Sequence, residues 1–139
     1  MNTYLELKKK QQKEVNEFPM IFAFSQKQLE EGMKRLEIIS TDELFKSSCG
    51  MLYRKKDSKM LHEMIERHSK EMEDAIKGDT KGNGFIFEMF NYELANQEYC
   101  ITGDVFDTLD SLGITFEEVE KDEALKTGLR LAIAMQRNG

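Results

Sequence analysis

From Gly84 to Asp104 the chain reads GFIFEMFNYELANQEYCITGD, its stretch richest in aromatic side chains. Phe85, Phe87, Phe90, Tyr92 and Tyr99 all fall within it, and large rings dominate the burial energy of a small domain. The rest of the chain is therefore expected to pack around this segment. At about 100° per residue a helix places Phe85, Met89, Tyr92, Tyr99 and Cys100 on one side, with Ile86 and Phe90 beside them. Glu, Leu, Ala, Met and Gln favour the helix, and Phe85-Ile86-Phe87 is a continuous apolar run, not an alternating one. The segment is predicted helical, with Phe85 to Phe87 as its part closest to an extended alternative.

The same wheel brings Glu93, Asn96 and Gln97 into the apolar arc. A polar side chain facing a core must find a partner or cost about 1–3 kcal/mol. One reading ties these residues to the following turn or to a neighbouring helix. The other makes Tyr92, Glu93, Asn96 and Gln97 the lining of a polar pocket, with Glu88, Asn91 or Glu98 nearby.

A chain of 139 residues fits one domain with an ample core. The reading is a single compact domain. Residues 1–18 form a peripheral helix, 19–81 a ribbon with helices, and 82–139 an acidic helical half. No apolar run reaches the roughly 20 residues that span a bilayer, and the first residues lack a secretory pattern. A cytoplasmic protein without a membrane partner is expected. Cys49 and Cys100 are the only cysteines and form no C-x-x-C pair, so both are expected reduced. Cys49, in Ser47-Ser48-Cys49-Gly50, reads as an exposed thiol in a turn.

The formal charge of −6 is unevenly spread. Residues 1–81 hold 16 Lys and Arg against 15 Asp and Glu, whereas residues 82–139 hold 4 against 11. Such a negative field repels phosphates, so the acidic half is not expected to bind nucleic acid directly.

In chain order, a helix is predicted over Thr3–Glu17 with a thin stripe of Tyr4, Leu7, Gln11, Val15 and Phe18. Pro19 ends it. Met20 to Phe24 reads as a strand, and Ser25 to Gln28 as a capping box opening a helix that ends near Glu37. Ser40 to Glu43 repeats the box before Leu44-Phe45, and a single short helical turn is expected there. Gly50 to Lys56 reads as a second strand, Met51 and Tyr53 on one face, pairing with residues 20–24 in a two-stranded ribbon. Lys59 to Lys77 carries Leu61, Met64, Ile65, His68, Met72, Ala75 and Ile76 at helical spacing. Val105–Leu112, a third capping box at Thr115–Glu118, and a last helix Glu123–Arg137 complete the chain. Gly128 within that helix implies close approach by another backbone. The fold class is mainly α (α+β), five to six helices with a small two-stranded β ribbon.

Candidate chemistry is sparse. The loop Gly78 to Gly84 lacks the spacing of a phosphate-binding loop and reads as a flexible connector. The glycine turn between residues 104 and 134 resembles a helix-turn-helix, but its second helix opens Phe116-Glu-Glu-Val-Glu, the wrong charge for DNA. His62 and His68 lie six apart, not the four that face one metal; His68 reads as a core-edge histidine with a hydrogen bond. No catalytic set, metal set or cofactor is assigned. Asp104, Asp107, Asp110, Glu117 and Glu118 form a candidate acidic surface, readable either as a partner contact or as a solvated face.

The segments FIFEMFNYELANQEYCITGD at Phe85 to Asp104, FPMIFAFSQKQLEEGMKRL at Phe18 to Leu36, and Tyr53-Arg54-Lys55 resemble an uncharacterised family of small acidic proteins. Its members are encoded on bacterial phages, plasmids and integrative elements. The resemblance implies an accessory protein that binds and modulates host or element machinery, and it carries no catalytic residues. The function expected first is a non-enzymatic protein that binds a protein partner, with self-association open. One alternative is an acidic mimic of nucleic acid that inhibits a defence or DNA-binding protein. Another is a small-ligand or metal-dependent enzyme using a pocket near Glu93.

Overall fold

The structure, a computed structural model, describes residues 3–46 and 51–138. Cys49 and its turn lie outside the described residues. The elements in chain order are α1 (Thr3–Glu17), β1 (Ile21–Phe22), α2 (Gln26–Arg35), β2 (Leu44–Lys46), β3 (Met51–Arg54), α3 (Ser58–Gly78), α4 (Phe85–Asn96), α5 (Tyr99–Thr102), α6 (Phe106–Leu112), α7 (Phe116–Lys121) and α8 (Glu123–Asn138). Short 3-10 turns occupy Thr41–Glu43 and Lys55–Asp57. The expected mainly helical class holds, and the small β element is an antiparallel sheet.

Two details differ from expectation, each for a local reason. The described residues hold eight helices, not five or six, partly because the aromatic segment breaks. Gln97 caps α4, Glu98 adopts the left-handed region at φ 58°, and α5 restarts from there. Among the described residues the sheet has three strands, not two. Ser40 and Glu43 close a complete capping box around the 3-10 turn, which leaves Leu44 extended (φ −110°, ψ 142°) and free to pair with β3. The short helical turn expected at this box is the 3-10 turn Thr41–Glu43, and strand β2, not expected, follows it directly.

The described chain groups into two compact units, residues 10–70 and residues 1–9 with 71–139. The boundary falls within α1 and α3. In the second, acidic unit, Ile86, Met89, Phe90 and Leu94 of α4 are buried, and a phenylalanine at this depth removes about 150–250 Å² from water. Leu125, Leu129 and Ala132 of α8 join them, with Tyr4, Tyr99, Leu109 and Val119. Phe85 to Phe87 are helical. Gly128 meets the expectation of close approach: a Cβ there would stand 2.4 Å from Ile86 Cγ2 and 2.7 Å from the Gly82 carbonyl oxygen. Gly82, at φ +79°, lies as tightly on α8, its hypothetical Cβ 2.0 Å from the Ala124 carbonyl oxygen.

In the sheet unit β3 is central, flanked antiparallel by β1 (Ile21 opposite Leu52) and by β2 (Phe45 opposite Tyr53). Met51 and Tyr53 share a face, as alternation requires, and pack on a small core of Phe18, Leu61 and Met64. α2 closes on β1 through Gly32, where a Cβ would stand 2.5 Å from Ile21 Cγ2, and through the Arg35 guanidinium, which donates to the Met20 carbonyl. At the start of α2 the Ser25 oxygen accepts from Gln28 N–H, while the Gln28 side chain accepts from Phe24 N–H, one residue earlier than in the usual box. The inward stripe of α3 is narrower than predicted here: Leu61 and Met64 are buried, but Ile65 is exposed. Among the described residues no helix is long and apolar enough to cross a membrane.

Candidate functional site

Glu93 is buried at 4% exposure, as its place in the apolar arc of α4 requires. Its carboxylate accepts from the Tyr4 hydroxyl at 2.9 Å and pairs with Lys8 Nζ at 2.7 Å. The same ammonium lies 4.9 Å from the centre of the Tyr92 ring and 5.8 Å from that of Tyr4, within reach of cation–π attraction. Tyr4 in turn meets Phe85 edge to face at 5.6 Å. Burial pushes the Tyr4 hydroxyl far above the ordinary phenol range, and its hydrogen bond to anionic Glu93 adds to the effect. Glu88 serves the same helix: one carboxylate oxygen accepts from Thr3 N–H, Thr3 hydroxyl and Tyr4 N–H, placing a negative charge at the positive end of α1.

The structure brings Tyr92 and Glu93 together and leaves Asn96 and Gln97 apart from them. Asn96 is exposed on the last turn of α4, and Gln97 contributes its backbone N–H to the Glu93 carbonyl as a helix cap. Among the described residues the Glu93 carboxylate is held by Tyr4 and Lys8 of α1, an internal junction between the two helices. Among the described residues no buried side-chain polar atom lacks a hydrogen bond.

The glycine loop before α4 is an ordered cradle for its own anion. Asp79 accepts from Gly82 N–H at 3.1 Å, Gly84 N–H at 3.0 Å and Ile86 N–H at 2.9 Å. A carboxylate thus occupies the positive start of α4, where an anion is favoured. The sequence signal was an acid inside a glycine run just ahead of a helix.

Asp104, Asp107, Asp110, Glu117 and Glu118 are all exposed, on α6, α7 and the residues opening them. Two have local work: Asp104 accepts from Phe106 N–H at 2.8 Å, and Glu118 completes a cap with Thr115. Sequence reasoning missed what stands among them. Phe106 and Phe116, the first residues of α6 and α7, are 56% and 47% exposed, with ring centres 5.9 Å apart. Each stands three residues ahead of a buried position, Leu109 and Val119, so spacing alone does not mark either ring as exposed.

In the sheet unit Arg67 grips Glu14 with both terminal nitrogens, and His68 Nε2 stands 3.2 Å from the same carboxylate. The Arg67 hydrogen bonds, helped by His68, hold Glu14 down at about 2. His68 is thus hydrogen-bonded and largely buried, as read from sequence, while His62 is exposed.

A family model covers residues 3–135 of this chain. The chain belongs to that family of unknown function, DUF7659. No curated protein and no solved structure matches the chain.

Proposed function

We propose that this protein is a non-enzymatic accessory protein that binds a protein partner through the face of α6 and α7. The observation that carries the reading is the exposed Phe106–Phe116 pair. Paired rings left in water are costly unless something covers them, and buried aromatic anchors inside a polar rim supply most of the energy of protein recognition. Asp104, Asp107, Asp110, Glu117 and Glu118 supply such a rim, and their sign selects a basic partner and speeds its approach. The mobile-element setting implied by the resemblance at Phe85 to Asp104 is consistent with a host or element protein as that partner.

A nucleic-acid mimic is the second reading, carried by the same acids. A pure mimic needs charge and no protruding rings, so the rings favour a protein-specific anchor. A ligand site at Glu93 has weaker support, since Tyr4 and Lys8 already occupy its carboxylate.

The test is affinity capture from host lysate with three versions of the chain. Phe106→Ala with Phe116→Ala should abolish capture of a basic protein. Asp107→Asn, Asp110→Asn and Glu117→Gln, which spare the capping acids Asp104 and Glu118, should shift its elution to lower salt. Loss with the acid variant alone would favour the mimic, and capture unchanged by either variant would reject the face.

A further inference from the structure

We propose that the outer edge of β2 is a second docking site, one that takes an extended acidic segment of another protein as an added strand. The sheet order β1-β3-β2 leaves one side of Leu44–Lys46 without a neighbouring strand among the described residues. A row of backbone donors and acceptors is therefore presented for pairing. Edges of this kind are ordinarily blunted by proline, by a bulge or by a covering element, and β2 contains no proline.

Three features go beyond a bare edge. On one face, Leu44 and Lys46 border an open trough of about 430 Å³, also lined by Phe24, Leu29 and Leu52, into which alternate side chains of an incoming strand would project. On the other face Phe45 stands 44% exposed, 5.9 Å from Tyr53, with Lys55 Nζ 5.3 Å from its ring centre. Lys46, Lys55 and Lys56 are exposed and make no ion pair among the described residues; of the two acids just ahead of the strand, Glu43 is turned back onto the Ile39 and Ser40 N–H groups and Asp42 is exposed, so the three lysines leave the edge with a positive excess. An edge lysine alone serves to repel other strands. Lysines accompanied by a trough and an exposed ring instead match strand addition, in which backbone bonds give affinity and alternate side chains give specificity. The charge selects acids on the incoming strand.

The probe is a fluorescently labelled, end-blocked peptide alternating Glu and Val, titrated into the full chain with anisotropy as the readout. Saturable binding that weakens with salt is expected, with no comparable binding of the peptide alternating Lys and Val. Lys46→Glu with Lys55→Glu should weaken it by about tenfold, at an unchanged melting temperature. The unaltered chain supplies the decisive comparison: N-methylation of one alternate set of peptide amides should abolish binding, and of the other set should be tolerated. No binding of the parent peptide, equal binding of the Lys peptide, or indifference to both methylation patterns would each overturn the proposal.

Discussion

The two units of the chain solve burial differently. In the acidic unit Met89, Phe90, Leu94 and Ala132 are wholly out of solvent, and buried or cradled carboxylates, Glu93 and Asp79, are matched by internal donors. In the sheet unit the core is Phe18, Leu61 and Met64, while Phe24 and Ile39 are 82% and 95% exposed. Charge divides along the same line: residues 10–70 hold 12 Lys and Arg against 10 acids, the remainder 8 against 16. The acidic unit invests its aromatic residues in stability and leaves one pair outside. The sheet unit leaves much of its apolar surface outside and relies on caps, an arginine grip and a short sheet. Local opening is accordingly expected to be easier in the sheet unit.

The largest test of this contrast is a matched truncation. Phe90→Ala should cost about 3–5 kcal/mol, because the cavity lies in a fully enclosed helical core. Phe18→Ala should cost less, since its small core borders solvent and can collapse. Hydrogen exchange resolved by residue would show each loss confined to its own unit. An equal or larger loss at Phe18 would break the contrast.

Much of the architecture was legible because it rests on local chemistry. The bounds of α1, the side-chain caps at Ser25, Ser40 and Thr115, of which only Ser40 closes the full expected box, and the pairing of β1 with β3 all follow from residue type and spacing. β2 was not legible, since Leu44–Lys46 carries no strong strand pattern and becomes a strand only because β3 offers an edge. At the candidate site the wheel placed Glu93 correctly inward, but its partners Tyr4 and Lys8 lie more than 80 positions away in sequence. Phe106 and Phe116 escaped notice because two short helices in sequence do not reveal that their first residues meet.

A smaller effect separates two glycines. Gly128→Ala gains about 1 kcal/mol of helix propensity, yet its Cβ meets the Gly82 carbonyl, backbone that cannot rotate aside. A net loss of about 1–3 kcal/mol is expected. Gly32→Ala gains the same propensity but drives its Cβ onto Ile21 Cγ2 and Cγ1, stiff atoms of a buried side chain; because they sit on a two-residue edge strand that can shift, its net loss should be smaller than that of Gly128→Ala. Thermal melts of both variants decide it, and a costlier Gly32→Ala would show the sheet unit to be the more rigid one.

The smallest effect is one that acid removes. Glu14 has its pKa lowered from an ordinary 4.5 to about 2, chiefly by the Arg67 hydrogen bonds. The folded chain therefore holds this proton more weakly than the unfolded chain does. The resulting stabilisation is complete above the unfolded value and is lost as pH falls from about 4.5 through about 2. Glu14→Gln removes it, so the melting temperatures of the two proteins should differ near neutral pH and converge across that window. Arg67 is half exposed, so salt should narrow the neutral-pH gap. Residue-resolved exchange should show the difference in residues 10–70, where the grip lies. A gap that persists unchanged below pH 2 would mean that Glu14 contributes by packing, and that the sheet unit is held by its core after all.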